Sequence, residues 1–179
     1  MGSYWESLTN GEMIRGGVTI NRGTMNIKAT DVTFINSNFI TSNELNINSG
    51  TLEIRRDSTL GGNVDVGVTG ILSLKSGSHS IIGNLDNYGQ LILQGTSFTG
   101  NGTVFSVGKV DWVSGNVTGS LNITVTINPL IISGNAYHGL LGSSIVTNNG
   151  INITSTGTID LQQSSTFKNI NPSSQINLL

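Results

Sequence analysis

Gly50-Thr51-Leu52-Glu53-Ile54, Gly70-Ile71-Leu72-Ser73-Leu74, Gly89-Gln90-Leu91-Ile92-Leu93 and Gly108-Lys109-Val110-Asp111-Trp112 are one phrase, Gly-x-apolar-x-apolar, written four times. Their glycines stand 20, 19 and 19 residues apart. That is the spacing of a chain that comes back to the same place once per turn of a β-solenoid. In an extended strand, successive side chains alternate, so Leu52 and Ile54 face one side while Glu53 and Arg55 face the other.

A second series, Gly62-Asn63-Val64, Gly83-Asn84-Leu85, Gly102-Thr103-Val104 and Gly119-Ser120-Leu121, runs between the first at intervals of 21, 19 and 17 residues. A third apolar set, Leu60, Ile81, Phe98 and Val117, follows nine to eleven residues after each glycine of the first series. Three short strands per turn, separated by Gly, Ser, Asn and Asp, predict an all-β protein: a single-stranded parallel β-helix (β-solenoid) of about 19–20 residues per turn and seven to eight turns. One turn cannot bury its own apolar face, so each must lie on its neighbours.

Composition agrees. The 179 residues suffice for one domain with a sizeable core, and 24 Gly, 22 Ser, 20 Thr and 22 Asn supply corners. The apolar residues, 36% of the chain, are placed periodically, which argues against a disordered polar chain. Net charge is −2 and no basic run exists, so a nucleic-acid partner is not expected. No apolar stretch is long enough to span a bilayer, so no membrane insertion is expected, and the first twenty residues show no signal peptide. Zero cysteines exclude disulfides and thiolate metal sites, and no cofactor is expected.

Along the chain, residues 1–22 read as an N-terminal cap or arm, since Met1–Glu12 fits no repeat and solenoid ends need cover. Residues 23–179 read as the solenoid body, most regular over 50–126. A longer turn with an insertion is expected over Asn128–Asn149, with Tyr137-His138 in a loop, before Gly157-Thr158-Ile159-Asp160-Leu161 resumes the first phrase. Gln175–Leu179 reads as a further strand, which makes Ile176, Leu178 and Leu179 an expected assembly edge.

Gly108-Lys109-Val110-Asp111-Trp112-Val113-Ser114-Gly115, followed by Gly119-Ser120-Leu121-Asn122-Ile123, resembles a repeat of haemagglutinin-type adhesins and autotransporter passengers. Asn148–Ile153 and Thr166–Asn169 are similar to phrases that continue it, so the resemblance covers roughly residues 50–179. It implies a right-handed β-helix and an exposed, elongated, usually non-enzymatic part. Virion fibres and spikes share the architecture. The expected role is therefore a non-catalytic structural or adhesive subunit of an extracellular, cell-surface or virion assembly, self-associating through its ends, with glycans as the further candidate partner. The alternative is a carbohydrate-active or carbohydrate-binding β-helix of the tailspike kind.

Few residues suggest chemistry. Asp65 and Asp86 hold the same place in adjacent turns, as an acid and nucleophile pair would, or as two solvated carboxylates. Phe105 and Asn122 are expected next in their row, so no third acid joins them. Arg55 and Lys75 stack likewise, with Gln94 next, a short cationic ladder for an acidic sugar or merely a solvated edge. Tyr4, Trp5 and Tyr137 are candidate partner or glycan contacts, whereas Trp112 is expected in the core. His79 and His138 read as turn residues. Asn101, Asn116, Asn122 and Asn152 match the N-glycosylation acceptor pattern, a pattern frequent by chance in so Asn-rich a chain.

Overall fold

The computed structural model describes residues 4–7, 13–128, 130–133, 137–148, 152–155, 158–169 and 175–178. They form a parallel β-solenoid of about seven turns, without a helix. The first strands are β1 (Tyr4–Ser7), β2 (Met13–Asn21), β3 (Thr24–Thr41) and β4 (Glu44–Ile54). The long strands turn corners of the solenoid without leaving the sheet, so one strand can serve two faces.

Three faces recur, and the register fixes which residue lies over which. On face A, Leu52, Leu72, Leu91, Val110 and Leu130 form one inward column, and Ile54, Leu74, Leu93, Trp112 and Ile132 form the next. On face B, Phe39, Ser58, His79, Phe98 and Val117 stack, with Thr41, Leu60 and Ile81 beside them. On face C, Met25, Leu45, Val64, Leu85, Val104, Ile123 and Val146 run in one line. The apolar members of these columns are buried and form one continuous core along the axis. Each fully buried Leu or Ile adds about 1.5–3 kcal/mol over an exposed one.

The repeating glycines have a steric cause. A Cβ at Gly70, Gly89 or Gly108 would stand 2.1 Å from the carbonyl oxygen of Ile47, Gly70 or Gly89 in the turn before. At Gly62 and Gly83 the distances are 1.6 and 2.0 Å. Both glycine series therefore mark corners where successive backbones nest too closely for any side chain.

The structure changes several sequence assignments. Strand pairing begins inside the segment expected as a cap or arm. β1 pairs with Thr24–Ile27, and β2 pairs with 34–36 and 38–41, so these strands belong to the first turn. The longer turn after Asn128 is present, with register partners 23 residues apart at Val117/Leu140 and Ile123/Val146. Tyr137 and His138, however, lie in a strand, Tyr137–Leu140, and not in a loop. Ile159 and Leu161 lie over His138 and Leu140 on face B, while Ile153 lies over Leu130 on face A. The phrase at Gly157 thus does not resume the first series; the lengthened turn moves it on by one face. Similarly Ile123, not Leu121, lies over Val104. Phe98 and Val117 continue the column of His79, not that of Ile81.

Candidate functional site

The corner between faces A and B gathers the most polar chemistry. Glu53 and Ile54 end the face A strand, Arg55-Arg56-Asp57 makes the corner, and Ser58 opens the face B strand. Alternation sends Ile54 and Ser58 inward and leaves Arg55, Arg56 and Asp57 at the surface. Arg55 is held twice: its Nε donates to Glu53 Oε1 at 2.5 Å, and its guanidinium lies 4.0 Å from the centre of the Phe34 ring. Phe34 and Glu53 are register partners, so the ring and the carboxylate stand side by side. Lys75 Nζ approaches the other Glu53 oxygen at 3.8 Å.

Arg55 and Lys75 do come together on adjacent turns, and Gln94 follows Lys75 in register. They are not a bare cationic ladder, because Glu53 lies between them and takes both. Sequence reading passed over Glu53; its position between two cations on the same outward face is the signal that identifies it. Around this corner two contiguous clefts open. One, of about 270 Å³, is lined by Asn36, Asn38, Arg55, Arg56, Asp57 and Gly77. The other, of about 290 Å³, shares Asn38 and Asp57 and continues over Ile40, Thr59, Ser78, Ser80 and Thr99. Asp57 Oδ1 accepts the Ser78 amide at 2.8 Å.

The second candidate lies on face C. Asp65 and Asp86 are direct register partners, one rung apart, about 4.8 Å by strand spacing. Burial raises the Asp65 carboxyl above the usual aspartate range, and the negative charges of Asp86 and Glu44 push it the same way. Phe105 follows Asp86 as expected, but the next place belongs to Thr124, not Asn122. Phe105 and Tyr88 are exposed aromatics that sequence reading did not single out. Phe105 occupies the outward position that its place in the Asp65–Asp86 row implies. Among the described residues, no group of three or more His, Cys, Asp or Glu side chains is arranged to hold a metal ion.

The remaining expected site residues are dispersed. Tyr4 and Trp5 lie in β1, in register with Thr24 and Met25, and Tyr137 pairs with Thr158; their side chains lie outside the described residues. Ile176 and Leu178 pair with Ile153 and Ser155, and Leu179 lies outside the described residues. Asn101 and Asn122 are exposed. Asn116 is half-buried and accepts the Gly139 amide at 3.0 Å, while Asn152 pairs with Gln175. Trp112 is buried as expected, its indole N–H donating to the Gly115 carbonyl at 3.0 Å.

Both histidines correct the sequence reading. His79 and His138 are fully buried strand residues, not turn residues. His79 Nδ1 and Ser58 Oγ lie 2.8 Å apart, and the ring stacks on Phe98. His138 lies edge-on to Trp112, its Nε2 3.1 Å from the Trp112 carbonyl oxygen. The His79 ring packs against Phe98 as a flat plate, and so a stacked interior position suits it.

No protein-family model, no curated protein and no solved structure matches this chain.

Proposed function

We propose that this chain is a non-catalytic structural or adhesive element of a surface assembly, a fibre, an adhesin stalk or a virion appendage, working as a rigid rod. One observation carries the reading: a parallel ladder, with local shifts of register, extends from Tyr4–Ser7 to Gln175–Leu178 through every turn between. In such a ladder the backbone hydrogen bonds run along the rod axis, so bending or stretching the rod strains every rung. At about 4.8 Å per rung, the seven or so turns give a rod some 35 Å long.

The rod extends by its own geometry. Among the described residues, β1, β2 and Gln175–Leu178 each pair on one side only. A further strand on either end, from a second copy or from more of the same polypeptide, meets edge groups already aligned for parallel pairing. The similarity of residues 50–179 to adhesin and autotransporter-passenger repeats supports the same role, at an extracellular, cell or virion surface.

Sedimentation velocity over a hundredfold concentration range, with electron microscopy of the same samples, tests the proposal. End-to-end association gives species that lengthen with concentration and keep a constant width. A monomer throughout would refute association through the ends. Turnover of a polysaccharide panel that disappears in Asp65→Asn and Asp86→Asn would refute the non-catalytic role.

A further inference from the structure

The paired clefts at the corner of faces A and B have a composition that the rod does not require. Two guanidiniums, Arg55 and Arg56, line one cleft with a single carboxylate, Asp57, one of whose oxygens is already occupied by the Ser78 amide. Glu53 and the Phe34 ring fix the plane of Arg55 and engage its Nε, which leaves the terminal N–H groups as oriented donors. Arg56 is exposed and makes no ion pair or hydrogen bond among the described residues. The exposed amides of Asn36 and Asn38 complete this end.

From there the second cleft follows the rod axis. Ile40, Thr59, Ser80 and Thr99 are consecutive register partners, so one apolar surface and three hydroxyls succeed one another at about 4.8 Å. Those three hydroxyls have no partner among the described residues. The rung spacing is close to the length of one hexopyranose unit.

We propose that this corner binds a linear acidic polysaccharide. The ligand's carboxylate or sulfate ester lies between Arg55 and Arg56, and its next sugars lie along Thr59, Ser80 and Thr99 with a ring face on Ile40. An oxyanion suits the fork of paired guanidinium donors, and a chain of hydroxylated rings suits a straight hydroxyl row. Charge density selects among polyanions. A nucleic-acid strand, with a phosphate at every step, would need cations along the whole row. Here the two arginines stand on a single turn, the one that carries Thr59, which matches a ligand with isolated charges. The proposal goes beyond the scaffold role, and the sedimentation state of the same samples reports on that role separately.

Binding to immobilised hyaluronate (one carboxylate per two sugars), κ-carrageenan (one sulfate ester per two sugars) and dextran (neutral) tests it, with Arg56→Ala, Ser80→Val and Lys168→Ala compared at matched thermal stability. Binding to at least one polyanion and not to dextran is expected. Arg56→Ala should weaken it about ten-fold, the loss of one charge-assisted contact. Ser80→Val should weaken it, and Lys168→Ala, an exposed cation on another face, should leave it unchanged. κ-Carrageenan binding alone would assign the anion as a sulfate ester, hyaluronate binding alone would assign the carboxylate, and binding to both would show that the corner takes either oxyanion. Equal binding to dextran, equal losses in Arg56→Ala and Lys168→Ala, or no binding to either polyanion would overturn the proposal.

Discussion

Acid should loosen this solenoid at one identifiable residue. His79 is fully buried, its ring lies 5.6 Å from that of Phe98 at an interplanar angle of 14°, and its Nε2 has no hydrogen-bond partner among the described residues. Burial lowers its pKa from 6.5 to about 4, against the smaller opposing effects of a hydrogen bond to the Ser76 backbone and the negative charge of Asp57. In the unfolded chain the imidazole takes a proton near 6.5, whereas the folded chain refuses it until about 4. Between those values the unfolded state binds more protons, so stability rises with pH. It is at full strength above about 6.5, falls by about 1.4 kcal/mol per pH unit below that, and levels off below about 4. The cumulative loss is about 3 kcal/mol, a large fraction of the stability of an ordinary domain. Urea unfolding between pH 7.5 and 3.5, followed by the fluorescence of buried Trp112, measures it. His79→Leu removes the titration while the carboxylates common to both proteins cancel in the difference. Loss of the Ser58 contact shifts the variant by a constant amount and leaves the slope intact. If wild type and His79→Leu lose stability in parallel through this window, the reasoning is wrong.

Three further outcomes follow from the packing. Because burial and the charges of Asp86 and Glu44 raise the Asp65 pKa, its ionised form is disfavoured by folding. Its favourable contribution is present in full below 3.8 and lost as pH rises through the folded value, so Asp65→Asn should stabilise the protein at pH 7, with the gain vanishing in acid. Gly89→Ala places a methyl group 2.1 Å from the Gly70 carbonyl oxygen and 2.3 Å from that of Gly67, both backbone atoms of the preceding turn. It should cost at least about 2 kcal/mol in chemical denaturation, whereas Gly61→Ala, whose nearest atom is 3.2 Å away, should cost clearly less. Trp112→Ala should cost about 3–5 kcal/mol. Trp112→Phe should still cost about 1–3 kcal/mol, because the Gly115 carbonyl then loses the indole donor.

The fold was legible because its strongest constraint is written in one letter. Where two turns nest at 2.1 Å no residue but glycine fits, so Gly70, Gly89 and Gly108 report the period directly. Legibility fails where that constraint relaxes. Turns near the C-terminal end contain up to 23 residues, and Ile151-Asn152-Ile153 and Ile159-Asp160-Leu161 then offer equally good phrases. Only strand register assigns the first to face A and the second to face B. The first strand shows the same limit: Tyr4–Ser7 carries no glycine phrase, and pairing with Thr24–Ile27 is what places it.

Polar residues mark the deeper limit, and the reason lies in how a solenoid satisfies them. An isolated interior Asn or His is costly, so each reads in sequence as a surface or turn residue. In a stacked column, however, the partner comes from the neighbouring turn. Asn87 lies over Ser106 and donates to its hydroxyl at 2.8 Å and to the Lys109 carbonyl at 3.0 Å; Asn21 does the same with Thr41 and the Glu44 carbonyl at 3.0 and 2.8 Å. Ser58 with His79 repeats the arrangement on face B. The candidate corner obeys the same rule on the outside, where Arg55 and Lys75 are tolerated one above the other because Glu53 lies between them. Apart from the Glu53–Arg55 contact within one strand, the unit of meaning in each case is a pair separated by about one period, so these polar residues take their roles from what stands nineteen to twenty-three positions away.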